Sequence, residues 1–374
     1  MKSLTLAGQT LLPGGAFAAS TVLVQDGRIA AVHAGADSHA DIVAGGWIVP
    51  GLIDLQVNGA FGFDLTADSS TIASLASRLP ATGVTGFLGT LISSPLESYS
   101  RMLHDLDQAA AEARGARVLG VHLEGPYLSP RRKGAHNPVY LRTPSLDEID
   151  RWVASPSVRL VTVAPELPGA LEFIRHLRTR NLAVSAGHSD ATYEQAAAGF
   201  DAGVTWGTHL FNAMSPLAHR EPGLAGALLS CGVPYGLIAD GIHVHPAAVK
   251  LAWRAEGPKG LTLVTDAMAA MGMTPGQYRL GDRQVTFDTR SARLADGTLA
   301  GSILQMDQAV RNLITFTGCS LAEAITAASA TPARIIGLAS QGQVAPGFSA
   351  DLVLLDPSIH VQMTLVAGQV VYSR

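Results

Sequence analysis

Three apolar stretches of the sequence each contain a polar residue of a type that binds transition-metal ions. Glu124 interrupts "GVHLEGP", His188 ends "LAVSAGH", and His209 interrupts "VTWGTHLFN". A buried carboxylate needs a cation or several hydrogen-bond donors, because an unpaired charge is costly to bury. One glutamate and two histidines can hold a metal ion and leave a fourth position for water, as at many catalytic zinc sites. The sequence therefore predicts that Glu124, His188 and His209 bind a catalytic metal ion.

Asp266, in "LVTDAM", ends another apolar run and is the candidate base for this site. An ionised carboxylate that binds no metal can take a proton from water. The alternative is an aspartate that caps the following segment. We favour the base, because so many chemically active residues at strand ends indicate one shared site.

His122 lies two residues before Glu124 and shares its face of a strand. It could orient the ligand, but we favour packing in the core.

Two segments that follow the predicted ligands carry residues suited to an anionic substrate. The first, "LSPRRKGAHNP", contains His136 and the consecutive cations 131–133, which we expect to be solvated. The second is "FNAMSPLAHREPG". Its residues that could together hold an anion are Asn212, the backbone at Ala213 and Met214, His219 and Arg220. Arginine suits bidentate contacts with phosphate, so this segment indicates a phosphate site.

These residues can form one site only if the fold brings them together, and the pattern in the middle of the chain predicts such a fold. Short apolar runs alternate with segments of helical spacing that begin with Ser, Asp or Pro and end with Gly. Eight such units between residues 47 and 340 predict an α/β fold, a (β/α)8 TIM-type barrel. A doubly wound open sheet fits less well, because no run is followed by a Gly-rich dinucleotide or phosphate loop. Active sites of such barrels lie at the C-terminal ends of the strands.

The two ends of the chain have a different, β-type pattern. Residues 1–46 and 341–374 alternate and turn, as in "VLVQDGRIAAVHAG" and "ADLVLLDPS". We therefore predict a small β-sandwich domain formed by both termini beside a catalytic barrel at 47–340. After the eighth run, "YRLGDRQVTFDTRSARLADGTLAG" has the alternation of an inserted hairpin.

Composition narrows the class of protein. The chain has 374 residues, of which 47% are apolar and 15% charged, and a net charge of −4. These values favour a large core and argue against a nucleic-acid partner. The two cysteines, Cys231 and Cys319, indicate no disulfide framework, so we expect a reducing cytoplasm. No apolar run reaches the roughly 20 residues of a membrane span, and the first residues lack the pattern of a signal peptide.

The motifs taken together resemble the N-acetylglucosamine-6-phosphate deacetylases of the amidohydrolase superfamily. The resemblance covers roughly residues 45–355 and includes "PGLIDLQVNG", "GVHLEGPYLSPRRKGAHNP", "SAGHSDATY", "GTHLFNAMSPLAHREPG", "ADGIHVHP" and "LVTDAMAAMG". "HLEGP" followed by "KGAHNP" and then "THLFNAM" is highly specific. The resemblance implies deacetylation of a hexosamine 6-phosphate in a barrel that carries a small β-domain.

The resemblance also implies roles for individual residues. Glu124, His188 and His209 are expected to bind the divalent metal, and Asp266 to activate water and protonate the leaving amine. His136 is expected near the acetyl carbonyl. The residues expected on the sugar phosphate are Asn212, the backbone of Ala213, Arg220 and His243. Family members are commonly homodimers, in which a neighbouring subunit can complete the phosphate site.

Gln56 and Asn58 in "GLIDLQVNG" stand where two-metal relatives carry a His-x-His pair. Neutral amides are poor ligands for zinc, and some similar deacetylases with this pair work with one metal. We therefore expect one divalent metal per active site, zinc first, with Fe²⁺, Co²⁺ or Mn²⁺ as alternatives. The expected partner is a small amino-sugar phosphate, with no nucleic acid and no membrane.

Three other functions stay open at this point. The same chemistry could act on N-acetylgalactosamine 6-phosphate, which differs in the configuration of one hydroxyl. Another amidohydrolase activity, such as cyclic-amide hydrolysis or deamination, fits the two substrate segments less well. A catalytically inactive barrel that serves as a scaffold predicts gaps among the ligand and base positions, and the sequence has none.

Overall fold

The computed structural model describes residues 3–374, and its main element is an eight-stranded parallel sheet that curves into a barrel. Most of its strands are buried along their whole length, as expected where helices cover the outer face. In chain order the barrel strands are Leu52–Val57, Val84–Ile92, Arg117–Glu124, Val158–Val163, Ala183–Ala186, Trp206–Gly207, Tyr235–Leu237 and Leu261–Leu263.

A helix follows each barrel strand and packs on the outside. In the same order these helices are Ile72–Arg78, Tyr99–Glu112, Leu146–Trp152, Ala170–Thr179, Tyr193–Ala202, Gly223–Ser230, Pro246–Gly260 and Met306–Thr317. Two further helices, Leu321–Ala328 and Ala330–Ile335, complete the ring. Side-chain caps define several starts: Thr192, for example, caps the helix that follows the fifth strand.

A buried side chain helps to close the barrel between its first and eighth strands. Asp54 accepts one hydrogen bond from the Thr265 hydroxyl group at 2.5 Å and another from the Thr265 backbone N–H at 3.3 Å. Within residues 3–374, the backbone pairing at this seam is a bridge between Val57 and Ala267, beyond the end of the eighth strand. The buried Asp54 carboxylate therefore joins strands that the sheet ladder leaves apart.

Strands from both ends of the chain form a second, mixed sheet. They are Ser3–Leu11, Phe17–Gln25, Arg28–Ala34, Ile42–Pro50, Leu352–Leu355, Val361–Val366 and Gln369–Ser373. They pair in one seven-stranded sheet with a small apolar core of its own. The parallel barrel and the sheet built from both termini confirm the predicted fold class.

The strand Ile42–Pro50 runs through the predicted domain boundary at residue 46. It pairs with Ser3–Leu11 and with Leu352–Leu355, both in the terminal sheet. The chain then enters the barrel at Gly51, where an added Cβ atom would lie 2.0 Å from the Thr85 hydroxyl. The division into two domains is a proposal, and this strand favours a first boundary at Gly51.

The predicted insertion after the eighth barrel strand is a three-stranded antiparallel sheet, referred to below as the insert sheet. Its strands are Gly276–Leu280, Arg283–Phe287 and Ala292–Arg293. A separate apolar cluster, which includes Val285 and Phe287, packs it against the barrel rim. Over residues 3–374, no helix combines the length and apolar character needed to span a bilayer.

Candidate active site

The three predicted metal ligands lie at the C-terminal end of the barrel, as the strand pattern predicted. Glu124 is the last residue of the third strand, and His188 and His209 follow the fifth and sixth strands by two residues. Both histidines have a positive φ, 47° and 31°. Such backbone conformations are unfavourable for residues other than glycine and cluster at functional sites.

The reactive atoms of these residues meet at one point. Glu124 Oε1 lies 3.2 Å from His188 Nε2 and 3.0 Å from His209 Nε2, and the two Nε2 atoms are 3.1 Å apart. All three side chains are buried. Burial raises the pKa of Glu124, but hydrogen bonds and charges from the two imidazoles outweigh it and hold that pKa well below its usual value.

The donor set fits a divalent cation better than it fits hydrogen bonding alone. His188 Nδ1 lies 2.9 Å from the Arg132 carbonyl oxygen, so Nδ1 donates a proton to that oxygen and Nε2 is the ring nitrogen that could bind a cation. Two imidazole nitrogens and one carboxylate oxygen within 4.8 Å of one another are ligand types found together at zinc sites. These three residues could therefore hold a metal ion.

The two amides of the first strand donate hydrogen bonds to the two central carboxylates. Gln56 Nε2 donates to Glu124 Oε1 at 2.9 Å, and Asn58 Nδ2 donates to Asp266 Oδ1 at 2.7 Å. The amide oxygens of both residues are buried and have no hydrogen-bond partner in the part of the chain that the structure describes. Each amide thus orients a neighbouring acid through its NH₂ group.

Asp266 lies three residues beyond the eighth strand and faces the same space. Its φ is 50°, and its side chain is buried. Burial raises the pKa of Asp266 to about 6 and the Glu124 charge adds to this, whereas His209, His243 and the hydrogen bond from Asn58 oppose it. A carboxylate in this range can exchange a proton with water near neutral pH.

His136 reaches this space from the segment after the third strand. Its ring lies 4.5 Å from the His188 ring, centroid to centroid. The backbone N–H of Ser93 donates to His136 Nδ1 at 3.3 Å, so the ring proton is on Nε2. Burial, and then the neighbouring His188, lower the pKa of His136 to about 3. The ring is therefore a neutral N–H donor.

One cavity of about 190 Å³ collects most of the predicted site residues. Those that line it are Asn58, Glu124, His136, His188, His209, Asn212, Ala213, His243 and Asp266. Gln56 lies behind Glu124. Arg220 is different: it lies in the exposed segment 216–221 and does not line the cavity. Its contact with phosphate stays a prediction.

The segment 131–133, expected to be solvated, is in fact partly tethered. Arg131 Nη1 and Arg132 Nε bind the two oxygens of Asp190 at 3.0 and 2.7 Å. This pairing fixes the Arg132 carbonyl that orients His188.

His122 packs inside the barrel, with Nε2 2.7 Å from the Thr162 hydroxyl, which agrees with the core role that we favoured.

Comparison with known proteins agrees with this geometry. The model of the amidohydrolase family matches residues 47–371. The chain belongs to the amidohydrolase family. It is 42% identical to N-acetylglucosamine-6-phosphate deacetylase of Bos taurus, over 97% of this chain and 94% of the relative. It is also 42% identical to N-acetylgalactosamine-6-phosphate deacetylase of Escherichia coli O157:H7, over 86% of this chain and 87% of the relative.

Among solved structures, this amidohydrolase is similar to a Mycobacterium smegmatis N-acetyl-D-glucosamine-6-phosphate deacetylase. The structure is of a variant in complex with N-acetyl-D-glucosamine-6-phosphate. The TM-score is 0.94 at 36% identity, with all of both chains covered. The family resemblance inferred from the motifs is thereby confirmed.

The sequence did not reveal every residue around the cavity of this amidohydrolase. The residues missed are small or apolar: Ile92, Gly134, Ala135, Leu280, Thr298, Leu299 and Gly301. Four of them belong to the insert sheet or to the segment that follows it. The only signal was the predicted hairpin itself, since these residue types carry no chemistry that would mark a site.

Proposed function

We propose that this amidohydrolase hydrolyses the acetamide of N-acetylglucosamine 6-phosphate to glucosamine 6-phosphate and acetate. The observation that carries the proposal is that Asp266 and the cluster of Glu124, His188 and His209 face one cavity. The deacetylases to which the chain is similar along nearly its whole length supply the substrate class.

Glu124, His188 and His209 would hold one divalent cation, and their ligand types favour zinc over iron, cobalt or manganese. When bound, such a cation supplies Lewis-acid chemistry, because it lowers the pKa of water and polarises a carbonyl group. The protein prepares for this by orienting Glu124 through Gln56 and His188 through the Arg132 carbonyl.

Asp266 moves the proton of the reaction. Asn58 occupies its Oδ1, which leaves Oδ2 to take a proton from the attacking water. The hydroxide oxygen adds to the acetamide carbon, and the C–N bond then breaks. Asp266 returns the proton to the amine nitrogen, because an unprotonated amine anion is too poor a leaving group.

His136 would stabilise the negative charge that develops on the acetamide oxygen. Its Nδ1 accepts from Ser93, so Nε2 bears the proton that can be donated. A donor already aimed at the developing charge needs no reorganisation during the reaction, which is why such groups accelerate it.

The sugar phosphate is assigned to the rim of the cavity. Asn212, the Ala213 backbone and His243 line that rim. We retain Arg220 as a phosphate contact, and its exposed position suits a role across the interface of a homodimer. A cytoplasmic location fits two free cysteines, of which one is exposed.

The galactosamine epimer is a second candidate substrate, because the Escherichia coli relative of 42% identity bears that name. Acetate release from both hexosamine 6-phosphates, paired with metal analysis of the purified protein, tests the proposal. Higher kcat/KM on N-acetylglucosamine 6-phosphate supports it. The reverse order would assign the protein to the epimer, and no acetate from either would refute deacetylation.

A further inference from the structure

Part of the lining of the cavity is apolar. Ile92, Ala135 and Leu280 line it together, and these three buried residues are called the apolar wall below. They belong to one apolar cluster, although they come from the second barrel strand, the segment after the third strand and the insert sheet. The proposed function uses only polar groups of the cavity, so it gives this wall no role.

The buried side chain of Asp64 holds two members of the wall in place. Its Oδ2 accepts the backbone N–H of Gly281, the neighbour of Leu280, at 2.7 Å. Its Oδ1 accepts the backbone N–H of Thr66 at 2.9 Å, and the Thr66 hydroxyl oxygen accepts the backbone N–H of Ile92 at 3.1 Å. One carboxylate therefore connects the turn of the insert sheet to the end of the second barrel strand.

The turn of the insert sheet also packs closely against its neighbours. At Gly281, where φ is 59°, an added Cβ atom would lie 3.3 Å from Ile92 Cδ1. The next residue, Asp282, accepts a hydrogen bond of 2.6 Å from Nδ2 of Asn137, which directly follows His136. The apolar wall is thus fixed relative to the segment that carries the proposed acetamide donor.

The wall adjoins the groups that are proposed to act on the acetamide. Ser93 donates its backbone N–H to His136 Nδ1, and Ile92 and Ala135 directly precede these two residues in the chain. The acetamide carbon bears an oxygen atom, a nitrogen atom and a methyl group. The oxygen is assigned to His136 and the nitrogen to Asp266. The methyl group therefore needs a contact that the polar residues do not supply.

The chemistry of the methyl group matches that of the wall. In N-acetylglucosamine 6-phosphate every other carbon atom bears oxygen or nitrogen, so the methyl group is the part of the substrate best stabilised by apolar contact. A wall whose backbone is held by hydrogen bonds also limits the space for a longer chain. An apolar pocket typically discriminates against one surplus methylene group by about 10- to 200-fold.

We propose that the apolar wall contacts the acyl methyl group and limits the acyl chain of the substrate to the size of acetyl, with Asp64 as a positioning residue that holds Ile92 and Leu280. The inference rests on the proposed function and adds to it residues that the function does not use. Asp64 itself does not line the cavity. Its effect is therefore on the choice of acyl group and not on proton transfer.

The test compares the N-formyl, N-acetyl and N-butanoyl derivatives of glucosamine 6-phosphate in the zinc-loaded protein. All three release the same amine, so one assay gives kcat/KM for each. We expect the parent to prefer N-acetyl over N-butanoyl by about tenfold or more. Leu280→Ala opens the wall and should reduce this preference by about fivefold or more.

Asp64→Asn tests the positioning role at constant side-chain size. One acceptor oxygen becomes an NH₂ group, which then faces the backbone N–H of Gly281 or of Thr66. The wall loses one of its anchors, so the preference for N-acetyl over N-butanoyl should fall by about threefold or more. A general loss of stability would lower both rates equally, and the ratio excludes that explanation. A preference equal to that of the parent would overturn the role of Asp64.

Two matched controls lie in and beside the insert sheet. Leu294 belongs to the same apolar cluster and is 5% exposed, against 4% for Leu280, but it does not line the cavity. Asp288 Oδ1 accepts the backbone N–H groups of Arg290 and Ser291, each at 2.9 Å, at an exposed turn. Leu294→Ala and Asp288→Asn should keep the parent preference. The same ratio in Leu280→Ala and Leu294→Ala would overturn the inference.

Ala135→Val narrows the cavity, so it tests the wall even if Leu280→Ala does not fold. Its kcat/KM for N-acetyl relative to N-formyl should be about fivefold or more below that of the parent. An unchanged ratio would overturn the inference. A parent that deacetylates without preferring N-acetyl over N-butanoyl refutes the inference alone. A parent that releases no amine from any of the three refutes the proposed function, and the inference with it.

Discussion

Asn58 Nδ2 donates a hydrogen bond of 2.7 Å to Oδ1 of Asp266, across the seam between the first and eighth barrel strands. The acceptor is the proposed base, and the donor is one of the two amides that we expected in place of a second metal site. The amide therefore has a function of its own: it holds one oxygen of Asp266 and leaves the other free for the proton.

Replacing this amide should slow the reaction without removing the metal. Asn58→Leu keeps the size of the side chain but leaves Asp266 without its donor. A hydrogen bond to a charged group contributes about 1.5–3 kcal/mol, so we expect kcat to fall about 10- to 100-fold. Steady-state kinetics and metal analysis check this. Gln277→Leu, which changes an exposed amide of the insert sheet, is the control, and a normal kcat in Asn58→Leu would contradict the role.

Asp266→Asn should retain the fold and the metal and lose most turnover. General acid–base groups contribute about 10²- to 10⁴-fold, and the same carboxylate serves two proton transfers here. Single-turnover acetate release measures the loss, with zinc content and melting temperature as checks on integrity. Turnover within threefold of the parent would remove Asp266 from the mechanism.

Removal of the metal should abolish activity and lower the melting temperature together. Without a cation, the buried Glu124 carboxylate keeps only two imidazoles and the Gln56 amide as neighbours. A ligand at 100 times its Kd stabilises a protein by about 2.7 kcal/mol, so the shift is measurable by calorimetry. Glu124→Gln should reproduce the metal loss, while the exposed Glu172→Gln should not. Full activity in the metal-free protein would disprove the site.

The barrel seam predicts a dependence of stability on pH. Burial raises the pKa of Asp54 to about 7, against the opposing hydrogen bonds from Thr265 and Gln56. The folded protein then binds this proton more tightly than the unfolded chain does. The contribution of Asp54 to the free energy of unfolding is therefore greatest below about pH 4. It decreases as the pH rises to about 7, and above that pH it no longer changes.

Asp54→Asn should remove this dependence. The difference in unfolding free energy between parent and variant should shrink from pH 5 to pH 8 by on the order of 2 kcal/mol, measured by urea unfolding of the metal-loaded proteins. Asp68→Asn, at an exposed cap, should show a constant difference. If the unfolding free energies of the parent and Asp54→Asn change in parallel with pH, protonation of Asp54 is not linked to folding.

The sequence was sufficient where chemistry interrupts apolar periodicity. Glu124, His188 and His209 stand out because polar residues at strand ends are costly to bury without a purpose. Gln56 and Asn58 were found by the same reasoning, but their hydrogen bonds to acids 68 and 208 residues away follow only from the closed barrel. The direction of those bonds depends on geometry that no local pattern contains.

Other contacts were missed for related reasons. The pairing of Arg131 and Arg132 with Asp190 joins two loops that are distant in sequence. A local sequence pattern does not distinguish arginines that form such pairs from arginines that are solvated. Asp54 was one of three polar residues in a strand, and its partner Thr265 lies 211 residues further on. Leu280 and Leu299 reach the cavity through the packing of the insert sheet, which its apolar alternation does not specify.

The insert sheet and the segment after it supply part of the cavity wall but none of the proposed catalytic residues. Glu124, His188, His209 and Asp266 lie at or just beyond the ends of four different barrel strands, whereas Leu280, Thr298 and Leu299 lie on one continuous stretch. Part of the cavity wall is therefore encoded in one short stretch of the gene. Exchanging that stretch between relatives would change this part of the wall and leave the four proposed catalytic residues unaltered.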